Sequence, residues 1–198
     1  MADITISQLT PGVPASSALF PYSESGTTKA STLTNLNLFK QIQYNNYDNF
    51  FSSNTTTIQE VAGFNVSITP TSASSKILIY VSGWGGSSAG GNTNADATYT
   101  GLLGYIYRYT AASGDVQLPL NPNSRQTNDK CHLVFSSGSQ FDIGAATIMM
   151  VDQPNTTSQV TYKIFARAEQ SGYLGAINCS VNGAIGAVAR SWIYAVEF

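Results

Sequence analysis

The chain has 198 residues, 42% of them hydrophobic, enough for one packed core plus an extension, yet only 10% are charged, against about a quarter in ordinary soluble domains. Its net charge of −2 and its nine basic residues, scattered singly from Lys29 to Arg190, argue against nucleic acid as a partner, since binding its phosphates needs clustered cations to release counterions. Solubility therefore rests on Ser, Thr, Asn and Gln, a surface that costs less to desolvate than a charged one and suits a protein that meets other protein.

The apolar runs, such as residues 77–81, are far too short to cross a bilayer. Met1-Ala2-Asp3-Ile4 has neither the basic nor the apolar region of a secretion signal, so synthesis in a cytoplasm without membrane insertion is expected. Cys131 and Cys179 read as buried small hydrophobes, and with His132 they offer too few ligands in any usual spacing for zinc. Neither a metal nor a cofactor is expected.

The first fifty residues read as an arm. Ile4 and Ile6 alternate with polar residues and Leu9 follows; Pro11, Gly12, Pro14 and Pro21 then bar helix and central strand. Leu19, Phe20 and Tyr22 are too few to close a core but can anchor on another one. A turn glycine, Gly26, precedes strand-prone threonines, and Leu36, Phe39 and Ile42 at three-residue spacing predict one or two helical turns over 35–42. Tyr44, Tyr47, Phe50 and Phe51 follow among asparagines, at a spacing that suits stacking about a three-fold axis or folding back on the chain's own domain. Extended, 40 residues reach up to roughly 130 Å. Residues 1–51 are thus expected to be an extended attachment arm and linker that orders on binding, with Ile4, Ile6, Leu9, Leu19, Phe20 and Tyr22 as anchors.

Residues 52–198 carry short strand candidates separated by turn signals and no sustained helical period, which predicts an all-β fold, a jelly-roll-like β-sandwich. Residues 58–69 and 76–84 flank a Pro/Ser segment and read as an opening hairpin. Over 159–169, Val160, Tyr162, Ile164, Ala166 and Ala168 alternate with Thr161, Lys163, Phe165, Arg167 and Glu169, the pattern of a strand with one core face. In 76–84 both faces are apolar, Ile77, Ile79 and Val81 against Leu78 and Tyr80, as expected of a strand that also packs on a neighbouring subunit. Residues 190–198 behave similarly. Tyr44, Tyr47, Phe50, Phe51, Ile79, Trp192 and Phe198 are the expected oligomer contacts. The segments 83–94 and 118–129 read as long exposed loops.

No catalytic constellation stands out. His132 lies between Cys131 and Leu133 and reads as structural; Asp142 with Asp152, or Asp96 with Asp115, would suit a carboxylate pair, but nothing in the spacing requires it. The alternative to a structural protein is a carbohydrate-binding, lectin-like module for a host surface glycan, with Trp84, Asn92, Asp96 and Tyr99 supplying an aromatic plate and polar groups. Tyr105, Tyr107 and Tyr109, on one face of a strand, are a second candidate plate.

The run Phe64 to Leu78, F-N-V-S-I-T-P-T-S-A-S-S-K-I-L, resembles a segment of tail- and head-fibre proteins of tailed bacteriophages. Val151-Asp152-Gln153-Pro154 with T-S-Q-V-T-Y-K at 157–163, and the closing residues 191–198, are similar to later pieces of the same pattern. Together they cover the chain from about Thr55 to its end. In the arm, I-S-Q-L at 6–9, L-F-P at 19–21 and G-T-T-K-A-S at 26–31 resemble fibre N-terminal segments, with Ala18 where those carry an acidic residue. The resemblance implies a non-enzymatic virion protein assembled in the host cytoplasm. It would be a homotrimeric fibre or capsid decoration protein, its arm docked on a capsid or tail protein and its β-domain outward.

Overall fold

The computed structural model describes residues 19–24, 27–32, 39–87, 101–119, 131–135, 144–169, 171–172, 174–178 and 190–198. The chain divides into two compact units, Met1–Lys40 and Gln41–Phe198. In the first, β1 (Leu19–Glu24) and β2 (Thr27–Thr32) pair antiparallel, from Leu19 opposite Thr32 to Glu24 opposite Thr27. A two-stranded ribbon has only edge strands, so Pro21 is tolerated in β1. Leu19, Phe20 and Tyr22 fall on β1; Ile4, Ile6 and Leu9 lie outside the described residues.

The second unit holds β3 (Gln41–Tyr47), β4 (Phe51–Ser53), β5 (Gln59–Ile68), β6 (Ile77–Ser87), β7 (Leu102–Thr110), β8 (Gly114–Gln117), β9 (Leu133–Phe135), β10 (Gly144–Asp152), β11 (Val160–Ala168), β12 (Gly175–Ile177) and β13 (Ser191–Glu197). They form two antiparallel sheets whose apolar faces meet in a sandwich. In the first sheet β6 is the spine. One of its edges takes β10 from Ile77 to Gly85; the other takes β13 from Ile77 to Ser82 and then β12 from Gly85 to Ser87. β3 and β4 continue outward beyond β13 and β12. In the second sheet β5, β11 and β7 run in order, and β8 and β9 share the far edge of β7. Counting each interrupted strand once gives eight strands in chain order, placed 1-8-3-6 in one sheet and 2-7-4-5 in the other.

Side-chain alternation builds the core. Along β11 every second residue from Val160 to Ala168 is buried and the rest are half-buried, as its sequence pattern predicts. β5 needs a correction to strict alternation, because Val61 and Phe64 both point inward. A bulge permits this: Lys163 faces Asn65 but Phe165 already faces Glu60. Gly63 sits there at φ +86°, a conformation side-chain-bearing residues rarely adopt. The β3 side chain Asn45 donates to Gly63 O and Asn65 O at 3.0 and 2.8 Å and closes the bulge.

Four sequence expectations change. Residues 58–69 and 76–84 are not a hairpin: β5 and β6 belong to different sheets, and the 69–76 segment crosses between them. Both edges of β6 are already occupied, and Lys76 and Phe198 exchange backbone hydrogen bonds that commit β6 to β13. Residues 41–51, expected in the arm, are β3 and β4 of the sandwich. Ile42, expected in a helical turn, is in β3. The glycine run from Gly83 is strand through Ser87, not loop. Its inward positions are glycine because the buried Phe135 ring lies over them; a methyl group at Gly83 would sit 2.7 Å from that ring.

In each sheet a polar side chain closes a break in a strand. Asn178 leaves β12 at φ 61°, and its side chain donates to Tyr47 O and Asn49 O at 2.6 and 2.9 Å, filling the gap between β3 and β4. Its N–H reaches Trp84 O at 2.8 Å, and Ser191 Oγ donates to its Oδ1 at 2.6 Å. Residues 178 and 191 therefore abut although twelve residues separate them. In the second sheet His132 does the same between β8 and β9. Its Nδ1 accepts from Ile106 N–H at 3.0 Å, leaving Nε2–H directed at Pro119 O at 3.4 Å. Burial holds the imidazole below its usual pKa, against the opposing backbone hydrogen bonds from Pro119 and Leu118, so the neutral tautomer is the structural one. Asn178→Ala should cost about 2–3 kcal/mol, since it strands buried partners and forces alanine into a left-handed conformation. Asn178→Gly, which relieves only the backbone part, should recover about 1 kcal/mol of that. Urea unfolding of the three proteins measures both.

Candidate interaction face

The outward side of the first sheet carries the least expected surface of the molecule. The strand registers place Val151, Leu78, Val196 and Ile42 in one row across β10, β6, β13 and β3. The next row is Met149, Tyr80, Tyr194 and Tyr44, and the third is Thr147, Ser82, Trp192 and Asn46. None of the twelve is charged. Four strands and three rows make a patch on the order of 400 Å², the size of the largest apolar patches on monomers, which are often functional.

The rings in the middle row are ordered against one another. Tyr44 and Tyr194 stack with centroids 5.7 Å apart, and Tyr80 meets Tyr194 at 5.9 Å, tilted by 59°. The most exposed positions are at the two flanks of the face: Ile42 and Tyr44 on β3 at 54% and 64%, Met149 and Val151 on β10 at 66% and 53%. The inner strands show only half-buried side chains. Trp84, 38% exposed, extends the same face toward the glycine-rich end of β6, diagonal to Trp192.

The opposite face of the sandwich differs in chemistry. On the outside of the second sheet Lys163 lies between Asp115 at 3.1 Å and Glu60 at 3.3 Å and over the Tyr109 ring at 4.7 Å. Arg167 donates to the Tyr105 hydroxyl at 2.9 Å. Of the three tyrosines in β7, Tyr105 is buried, Tyr107 packs on Phe165 with centroids 4.2 Å apart, and only Tyr109 is open. They do not form an exposed plate.

The expected oligomer contacts divide accordingly. Tyr44 and Trp192 lie on the uncharged face. Phe50 and Phe198 are exposed, Phe50 in the β3–β4 break and Phe198 beyond β13. Tyr47 is buried and stacks on Phe64 at 4.9 Å, Phe51 packs against the core, and Ile79 is fully buried between the sheets. These three belong to the core, so the aromatic spacing over 44–51 reflects a strand and its break rather than a three-fold stack. Sequence reasoning named Leu78 and Tyr80 as a second apolar face but missed Ile42, Met149, Val151, Tyr194 and Val196. The alternation in β10 was the available signal. Of the expected glycan residues only Trp84 is described; Asn92, Asp96 and Tyr99 lie outside the described residues.

The ionisable groups singled out for chemistry have structural work. Asp152 takes both contacts of Arg108 Nη1 at 2.9 and 3.0 Å and the Tyr162 hydroxyl at 2.9 Å. Burial, then the Asp152 carboxylate, pushes the Tyr162 phenol well above its usual range. Asp142 and Asp96 lie outside the described residues. Among the described residues no group of three or more His, Cys, Asp or Glu is placed to hold a metal ion, and no helix is long and apolar enough to cross a membrane. Compared with protein-family models and with curated proteins, the chain matches none.

Proposed function

We propose that the chain is a non-enzymatic structural protein of a tailed-bacteriophage virion, a small homotrimeric fibre or capsid decoration protein. Its arm joins a capsid or tail protein, and its sandwich is a jelly roll that assembles and projects. The strand order 1-8-3-6 over 2-7-4-5 supports the jelly-roll reading. The observation that carries the structural role is the uncharged apolar face of the first sheet. A sheet face of that composition suits a surface that meets another protein, and it sits on a domain in which the described Asp152, Lys163, Arg167 and Glu197 are engaged in holding the fold. The sandwich starts at Gln41 and ends at Glu197, two residues that face one another at the same end of the sheet.

Deleting residues 1–40, the first compact unit, tests the reading. The truncated protein is expected to keep its β-rich circular dichroism and its oligomeric mass while losing the ability to join particles, measured as copies per purified particle. Decoration at normal occupancy by the truncated protein would overturn the assignment of the arm.

A further inference from the structure

The two flanks of the uncharged face are unlike its middle, and each flank belongs to an edge strand. Sandwich edges are usually defended by bulges, breaks, charges or covering side chains. Three of the four edges here are defended. β5 is bulged at Gly63, β3–β4 is broken at residues 48–50 and tied to β5 by Asn45, and β8–β9 is broken and plugged by His132. Among the described residues β10 has no such device. Its ladder to β6 is unbroken for nine residues, and it holds no proline and no charge before Asp152. Its inward Ile148 and Met150 are only half-buried.

From this we infer that copies of the chain meet corner to corner around a three-fold axis, the β3 flank of one against the β10 flank of the next, with the uncharged faces turned toward the axis. This rests on the homo-oligomeric reading above and names the surface that performs it. The occupant is a second copy because the face offers no charge for an unlike partner to read, and because its two flanks complement each other. Tyr44 and Met149 share a row, so the corner sets a tyrosine ring against a thioether, a favourable pairing. Ile42 and Val151 share the next row. The contact is heterologous, and such contacts close into rings when the rotation permits. Dimensions admit the three copies of the reading above and exclude a wider ring. Four strands at about 4.8 Å make a side on the order of 19 Å, and a triangle of that side holds each sheet about 5.5 Å from its axis, half the ~10 Å at which sheets pack. The Tyr80–Tyr194 row then fills the centre. All copies run parallel, so the Gln41 ends lie on one side.

The test uses the full chain. Light scattering should give three times 21.0 kDa, and Tyr44→Lys and Met149→Lys should each reduce it to the single-chain mass with unchanged circular dichroism. The double variant Tyr44→Cys/Met149→Cys supplies a positive signal. Within one copy these positions are separated by β13 and β6, three strand spacings or about 14 Å, too far for a disulfide. An oxidised, covalent trimer on a non-reducing gel, absent from either single variant, is therefore expected. A single-chain or two-chain mass for the natural protein would overturn the inference, as would lysine variants that keep the parent mass without cross-linking. Loss of decoration on deleting the arm, together with failed cross-linking, would leave the virion reading standing and remove only this interface.

Discussion

Replacing Ile79 by aspartate is expected to unfold the sandwich rather than to separate its copies. Ile79 is fully buried on β6, between the two sheets. Removing an isoleucine side chain from such a site costs about 2–5 kcal/mol by itself. Aspartate adds a carboxyl group that must either stay ionised without a partner or take up a proton in an apolar site, at a cost of several further kcal/mol. The neighbours across the strand pairs, Ala195 on β13 and Met150 on β10, offer no donor side chain. The total of about 5 kcal/mol or more is comparable with the entire stability of an ordinary domain, about 5–15 kcal/mol. The measurement is the far-UV spectrum and urea midpoint of the full-length variant beside Tyr44→Lys. The two residues lie on the same sheet, 79 facing in and 44 facing out, so one variant should lose its fold and the other only its partners. A folded Ile79→Asp protein with a normal midpoint would mean that the inward register of β6 is wrong.

The contrast also shows what a sequence pattern can carry. Period-two alternation in β11 gave its core face directly, because each side of that strand meets a different medium. β6 is apolar on both sides, so alternation could not say which face was the core, and Ile79 was assigned outward while Leu78 and Tyr80 hold that position. The glycines at 83 and 85 read as loop because their reason, the Phe135 ring, lies in another strand. Asn178 and His132 carry no local signal either; they matter because a distant chain break leaves backbone groups for them to satisfy. The long crossing between sheets was misread as a hairpin for a similar reason. Turn residues mark where a strand stops, whereas its next partner is decided by which edges remain free.

The segments quoted for the resemblance to phage fibres make structural contacts of their own. Its quoted pieces are far apart in sequence, yet they meet at two carboxylates. Asp152, from the Asp-Gln-Pro turn, binds Tyr162 of the Thr-Tyr-Lys strand. Glu197, in the closing strand, gathers the Thr-Pro-Thr-Ser-Ala-Ser-Ser segment. The motif residues thus act as fold-forming contacts. The same pieces also give Leu78, Val151, Trp192, Tyr194 and Val196 to the uncharged face, whose Ile42, Tyr44, Tyr80 and Met149 come from outside them.

Glu197 supplies the second large effect. Its side chain is fully buried. Oε1 accepts from Thr71 N–H at 2.8 Å and from the Thr71 and Ser75 hydroxyls, both at 2.5 Å, and Oε2 accepts from Gln41 Nε2 at 2.6 Å. Burial alone would raise the carboxyl pKa; the donors from Ser75, Thr71 and Gln41 outweigh it and hold the group at about 2, below the ordinary 4.5. Because the folded state binds the proton more weakly than the unfolded chain, the group stabilises the fold fully above about pH 4.5. That contribution declines as the pH falls and is lost below about 2, a span of about 3 kcal/mol by linkage. Glu197→Gln keeps the shape but loses the charge that makes these bonds strong. It should therefore lower stability by about 2–3 kcal/mol at pH 7, and the difference from the natural protein should shrink to near zero at pH 2. Urea midpoints of both proteins at pH 7, 4 and 2 measure it. A gap that stayed constant across that range would mean that the carboxylate is not charged at neutral pH. The 69–76 crossing would then be held by packing alone.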